Sequence, residues 1–356
     1  MKKRSKDDVK KILVIRFRQI GDTILTTALC STLKKNFPAA EVHIVLNERI
    51  APVVGGHPDI SKVITFSNDD NSNFLKYIAR VWKVVHSEDY DIIVDIRSTV
   101  RTLFFSLFSL FKKHRPLRVG CDKKYARLFQ HINIPSMPAD CDVVSGDSRF
   151  ATALSCITPI VPVKDFRLYV TDDEKEKFRQ YMASKGIDFS RPVMLLGVTT
   201  KLAHKKWNVG YMKEVVGRLL TRYPQAQFIF NFAPGKEAAE AREMFESLGC
   251  PAAVKMDVEA KSLRELMALC SNCTFYFGNE GGARHLVQAL GVPSYALFSP
   301  VAKKKRWLPR TSVPAYGIEP ADVLLPGSTP PAGNMFDAVT PDIVCGQLFP
   351  LLDEIL

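Results

Sequence analysis

Short apolar runs alternate along the chain with longer segments of helical period. KILVIRF (11–17), EVHIVLN (41–47), KVITF (62–66) and YDIIVDI (90–96) are rich in Val and Ile and predict strands. Between them, TILTTALCSTLKKNF and FLKYIARVWKVVHS space their apolar residues as helices do. Strand–helix alternation predicts an α/β fold, a parallel sheet with helices on both faces. The aromatic and basic stretch RTLFFSLFSLFKKHRPLR (101–118) interrupts the alternation. It resumes at Thr171-Asp172-Asp173-Glu174, which predicts a helix N-cap and an acidic first turn. Strands are then predicted at PVMLLGV (192–198), QFIFNF (227–232), CTFYFGN (273–279) and PSYALFS (293–299), with helices near 208–222, 236–248, 262–270 and 282–290. A loop-rich 309–335 precedes a last helical segment, TPDIVCGQLFPLLDEIL. A chain of 356 residues holds about two domains. The pattern divides it into 1–165 and 166–335, followed by 336–356 as a terminal helix.

Composition adds bounds. Hydrophobic residues make 46% and charged ones 24%, as in ordinary globular proteins. The basic MKKRSKDDVKK leads into no apolar signal region, and no uncharged run approaches the ~20 residues of a membrane span. The expected location is therefore cytoplasmic. Eight cysteines lie scattered, and the one CxxC, Cys270 and Cys273, has no second pair, so buried free thiols are expected. Net charge is +12, with +9 in residues 1–165 and +3 in the remainder. That asymmetry suits an acidic partner such as anionic lipid, a phosphorylated glycolipid or nucleic acid, with solubility charge as the alternative.

Ligands of open parallel sheets collect beyond the carboxyl ends of strands. In RFRQIGDTILTT the turn after the first strand carries Asp22 and one glycine, where a phosphate loop would carry several glycines. Taken alone, Asp22 reads as an acid stabilising a helix N-terminus. The loop after PVMLLGV, TTKLAHKKWN, offers Thr199, Thr200, Lys201, Lys205 and Lys206, a set suited to a diphosphate. In FYFGNEGGARHLVQALGVPSYALFSP, Gly281 and Gly282 precede a helix whose first N–H groups suit phosphate. There Glu280 suits a sugar hydroxyl, and His285 suits a phosphate or hydroxyl unless it is simply packed. No acidic cluster has metal-ligand spacing, which predicts metal-independent chemistry.

Three motifs in order carry a resemblance. They are Arg16-Phe17-Arg18-Gln19-Ile20-Gly21-Asp22 through Phe37-Pro38, Lys205-Lys206-Trp207, and Glu280 to Pro300. The chain resembles, over nearly its whole length, the lipopolysaccharide heptosyltransferases of glycosyltransferase family 9. The resemblance implies a GT-B fold, two Rossmann-like domains facing across a cleft. It implies acceptor binding by 1–165, nucleotide-sugar binding by 166–335, and a terminal helix, 336–356, returning to the first domain. By position it makes Asp22 the general base and Lys205 the phosphate-binding lysine. Donor contacts fall on Thr199, Thr200, Lys201, Glu280, Gly281, Gly282 and His285. NFAPGKE (231–237) loosely matches a glycine-proline loop and adds Glu237. Asp95 and Arg97 fall on an acceptor-side D-x-Q-G loop, and Arg16 and Arg18, on one face of the strand end, suit anionic acceptor groups. The chain departs from the family at Glu280 for aspartate, Gly281 for serine or threonine, Arg284 for a small or apolar residue, and Ser98 for glycine.

The implied chemistry is inverting transfer of heptose, or a related sugar, from an ADP-sugar co-substrate to a lipopolysaccharide core glycolipid, with no cofactor. A UDP- or GDP-sugar transferase is the alternative. A nucleic-acid-binding protein is disfavoured because no such module occurs, and a dehydrogenase because GxGxxG is missing. The resemblance makes the 101–118 stretch a helix and loop beside the acceptor site; its residues read either as an ordinary buried helix or as a peripheral contact with the cytoplasmic face of the inner membrane.

Overall fold

The computed structural model describes residues 5–324 and 334–356. The first four residues of the basic N-terminus, and 325–333 of the loop-rich segment, lie outside the described residues. Packing divides the chain into two units, Met1–Tyr169 and Val170–Leu356, four residues beyond the boundary read from the sequence.

The first unit is built on β1 (Lys11–Ile15), β2 (Glu41–Asn47), β3 (Lys62–Phe66), β4 (Ile92–Asp95), β5 (Leu117–Cys121) and β6 (Ile132–Ile134). They pair in the order β3-β2-β1-β4-β5-β6, and every pairing is parallel. The order reverses between β1 and β4, so a crevice opens beyond their carboxyl ends. β1 and β4 are buried throughout apart from the partly exposed Lys11, which is why both read as continuous apolar runs. β5 and β6 escaped the sequence pattern because they are short and mixed, LRVGC and INI.

The second unit repeats the plan with β7 (Val193–Gly197), β8 (Gln227–Phe230), β9 (Val254–Lys255), β10 (Phe275–Asn279), β11 (Ser294–Leu297) and β12 (Ala315–Ile318). Their order, β12-β11-β10-β7-β8-β9, is the same doubly wound arrangement. Its switch point lies between β7 and β10, where Gly197 and Gly278 stand opposite each other. Gly278 has φ +154°, and a Cβ there would come within 2.4 Å of the Gly197 carbonyl oxygen, so glycine is required.

The terminal helix, Pro341–Asp353, packs within the second unit. Val344, Cys345, Leu348 and Leu352 are buried in the second unit's own core with Trp207, Val216 and Leu219. Asp353 accepts hydrogen bonds from Arg222 Nη2 and Tyr223 Oη, each at 2.7 Å. The 101–118 stretch is neither wholly buried nor wholly surface. In the helix Leu103–Ser109, Leu103, Phe105, Ser106 and Ser109 face inward. Phe104 and Phe108 are partly buried against the same core, Phe108 edge-on to Trp82, and the exposed Phe111 follows. Cys270 and Cys273 are buried free thiols, and burial pushes Cys270 up to about 12. Among the described residues, no helix is long and apolar enough to cross a membrane.

Candidate functional site

At the carboxyl end of β1 the chain turns directly into the helix Ile20–Asn36, with Gln19 as its N-cap. Asp22 is the third helical residue and makes no side-chain cap, so hydrogen-bonded capping does not account for it. It is 7% exposed, and its Oδ1 lies 3.2 Å from Arg16 Nη2 and 3.3 Å from Arg18 Nε. Among the described residues Asp22 Oδ2 has no hydrogen-bond partner, yet it is not among the buried unpartnered atoms. One oxygen is thus anchored by two guanidinium groups and the other is presented outward. Arg16 and Arg18 both reach Asp22 Oδ1, but their surroundings differ. Arg16 is 4% exposed and committed to carboxylates, whereas Arg18 is exposed. Arg97 is partly exposed, and burial together with the charges of Arg18 and Arg16 lowers its pKa.

Asp95 needs correction as an acceptor contact. It is fully buried, and its Oδ1 accepts from the backbone N–H groups of Arg97 (3.1 Å) and Ser98 (2.8 Å). It shapes the loop that carries Arg97, and burial raises its carboxyl pKa. Ser98 sits at φ +45°, a left-handed conformation in which glycine is at ease and serine is strained. Its hydroxyl oxygen compensates by accepting from Cys121 N–H at 2.8 Å and Gln130 Nε2 at 2.7 Å. The departure at Ser98 thus keeps the backbone shape and adds anchorage.

In the second unit, the loop after β7 holds the basic cluster. Lys205 Nζ lies 2.8 and 3.2 Å from Glu280 Oε2 and Oε1. Glu280 is 3% exposed, so this is an ion pair largely removed from water. Thr199 donates to Glu237 Oε2 at 3.1 Å, Thr200 is partly exposed, and Lys201 is exposed. Gly281 is extended, at φ 170°, and a Cβ there would meet open space. Neither strain nor crowding explains this glycine; the space where the family carries a hydroxyl is simply open. Gly282 begins the helix Gly282–Ala289.

His285 is also corrected. It is 2% exposed, packs edge-on to Trp307, and is held well below its usual pKa by burial and then by the Arg284 and Lys205 charges. It is a packed residue and reaches no open surface. Arg284 is wholly buried and donates to Gln288 Oε1 and to the Trp307 carbonyl, both at 2.5 Å. It therefore ties the donor-motif helix to the segment around Trp307.

Sequence reasoning placed Asn279 at the head of a candidate loop without giving it a role. Its Oδ1 accepts from Trp207 N–H at 2.9 Å, and its Nδ2 donates to the carbonyls of Gly197 (3.1 Å) and Val198 (3.3 Å). One buried amide thereby fixes the lysine loop against the end of β10, beside Glu280. The signal was present, since Asn279 is a polar residue ending an otherwise apolar strand. Asp147 was missed. It lies 3.3 Å from Arg16 Nη2, 6% exposed, with no motif to mark it.

Comparison with known proteins identifies relatives over most of the chain. The chain is 22% identical to lipopolysaccharide heptosyltransferase 3 of Escherichia coli K12 over 288 residues, 79% of this chain and 80% of that one. Its fold is shared with a family 9 glycosyltransferase from Veillonella parvula, with a TM-score of 0.80, 16% identity and 99% of each chain covered. It is shared also with ADP-heptose lps heptosyltransferase II of E. coli, with a TM-score of 0.73, 19% identity, and 97% and 99% of the two chains covered. Both solved neighbours support the α/β two-domain GT-B class. Residues 78–312 match the model of glycosyltransferase family 9 (heptosyltransferase), and the chain belongs to that family.

Proposed function

We propose that this glycosyltransferase moves heptose from ADP-heptose to a lipopolysaccharide core acceptor with inversion, without a metal. The observation that carries the reading is Asp22, a carboxylate with one oxygen held by Arg16 and Arg18 and the other unpartnered. Asp22 Oδ2 accepts the proton of the acceptor hydroxyl as that oxygen bonds to the anomeric carbon. The bond to the ADP oxygen breaks on the opposite face, and the electron pair leaves with ADP. Positioned proton transfer of this kind contributes ~10²–10⁴-fold. Lys205 and the N–H groups at Gly281 and Gly282 stabilise the charge growing on the diphosphate. Thr199, Thr200, Lys201 and Glu237 complete the donor side, while Arg18 and Arg97 meet anionic groups of the acceptor. The ADP-heptose choice is supported by the E. coli neighbour, an ADP-heptose lps heptosyltransferase. A panel of ADP-, UDP- and GDP-sugars tests it: selective thermal stabilisation by ADP-heptose is expected, and selective stabilisation by a UDP- or GDP-sugar would overturn it.

A glycolipid acceptor also requires a route to the membrane surface. In the first unit, the helix Phe74–His86 and the segment 103–115 contain six Lys or Arg and no carboxylate. Phe74 (54% exposed), Leu75 (76%), Trp82 (44%) and Phe111 (68%) stand on their outer surface. Aromatic side chains ringed by cations suit peripheral contact with anionic lipid at the cytoplasmic face of the inner membrane. Sedimentation with phosphatidylglycerol-containing vesicles is expected for the wild type and lost in Trp82→Ser/Phe111→Ser. A wild-type protein that stays in the supernatant would remove this part of the reading.

A further inference from the structure

The Asp147 carboxyl group has no part in the chemistry described so far, yet it is buried directly behind the base. Asp147 lies in the helix Val143–Thr152, which packs along the helix Ile20–Asn36 within the first unit. Its Oδ2 is 3.3 Å from Arg16 Nη2, the same nitrogen that stands 3.2 Å from Asp22 Oδ1. Thr26, one turn after Asp22, closes the arrangement: its Oγ1 is 2.9 Å from Asp147 Oδ2 and 2.9 Å from the Asp22 carbonyl oxygen.

We propose that Asp147 is a positioning residue for the base: with Thr26 it holds the Arg16 guanidinium on Asp22 Oδ1 and so keeps Oδ2 free for the acceptor hydroxyl. A guanidinium facing a lone carboxylate prefers the two-pronged geometry that occupies both oxygens. Here Nη2 is divided between two carboxyl groups, and Asp22 is engaged at one oxygen alone. Asp147 Oδ2 is a single atom that accepts from both Thr26 Oγ1 and Arg16 Nη2. Burial raises the Asp147 carboxyl pKa, Arg16 and the Thr26 hydroxyl pull it down, and the Asp22 charge raises it. Asparagine at 147 preserves the pattern with its amide oxygen in place of Oδ2, accepting from Thr26 and Arg16; alanine abolishes it.

The inference rests on Asp22 as the base, and the experiment separates the two claims. Steady-state transfer is measured with ADP-heptose and stepwise-truncated lipopolysaccharide core for wild type, Asp22→Asn, Asp147→Asn and Asp147→Ala, each first shown to be folded by its melting curve. A misplaced base costs on the order of a hundredfold. Asp147→Ala is expected to lose tenfold to a hundredfold in kcat with an unchanged KM for ADP-heptose, and Asp147→Asn to stay within about threefold of wild type. Wild-type kcat in Asp147→Ala, or equal losses in both variants at 147, overturns the inference. Full activity in Asp22→Asn overturns the base itself. A crystal structure of Asp147→Ala adds an arm independent of turnover: Arg16 is expected to cover both Asp22 oxygens or to leave Oδ1. An Arg16–Asp22 contact unchanged from 3.2 Å would also overturn it.

Discussion

Replacing Glu280 by Asp, the residue found in the family, is expected to tighten ADP binding. In the free protein Lys205 is held by both oxygens of Glu280, at 2.8 and 3.2 Å, in surroundings where Glu280 is 3% exposed. A diphosphate that needs the Lys205 charge must loosen that pair. Removing one methylene withdraws the carboxylate by about 1.5 Å. The shorter contact then stretches to roughly 4.3 Å, outside hydrogen-bond range. At an effective dielectric near 20, the attraction weakens by about 2 kcal/mol. The flexible lysine stem follows and recovers about half of that. Some 1 kcal/mol remains, or about fivefold in Kd for ADP. Calorimetric titration of ADP into wild type, Glu280→Asp and Glu280→Gln measures it, with both variants expected to bind more tightly. If both bind more weakly, Glu280 grips the donor directly, and the picture of a resting clamp on Lys205 is refuted. The lost methylene should lower stability by about 0.8 kcal/mol, a separate reading from the same samples.

Two further predictions concern the scaffold of the donor side. Asn279→Ala strips hydrogen-bond partners from Trp207 N–H and from two carbonyls at the end of β7, and should lower unfolding free energy by about 3 kcal/mol; an unchanged urea midpoint would show that the lysine loop is held by other means. His285 is neutral when folded and takes a proton on unfolding below an ordinary pKa of ~6.5, so its contribution is complete above that pH and lost as pH falls toward the lower folded value. The slope reaches up to ~1.4 kcal/mol per pH unit. His43 and His57, also lowered by burial, act in the same window, so the difference in urea midpoints between wild type and His285→Asn over pH 5.5–7.5 isolates this residue. Parallel curves for the two proteins would contradict it.

The two doubly wound sheets were legible in the sequence wherever a strand is an unbroken apolar run. β1, β2, β3, β4, β7, β8, β10 and β11 all read as Val-, Ile-, Leu- or Phe-rich runs. The four unread strands, β5, β6, β9 and β12, all lie on the outer side of their sheets or next to it, and they are short or mixed in character. In β5 the run is broken by Arg118 and Gly120 although the strand is buried, and β6, β9 and β12 are short or partly exposed. In the site, motif residues were found by position, but their exposure was not. Asp95 and His285 carry the chemistry of ligand contacts, yet both are sealed in, because a polar side chain placed just beyond a buried strand or one turn into a helix serves its own loop equally well. Residues that act through others left no local trace. Asp147 stands 125 positions from Asp22, and only the packing of two helices brings them to one guanidinium. Ser98 shows the converse: a departure from the family motif sits in a left-handed backbone and anchors it.

The most direct test of the account is heptose transfer by Asp22→Asn measured beside ADP affinity in the same protein. Asparagine keeps the shape of the side chain and its contact distances but cannot accept the acceptor's proton. A fall of ~10²–10⁴-fold in kcat with ADP affinity within about twofold of wild type is the predicted result. Transfer at the wild-type rate, or a loss fully explained by weaker ADP binding, would contradict it.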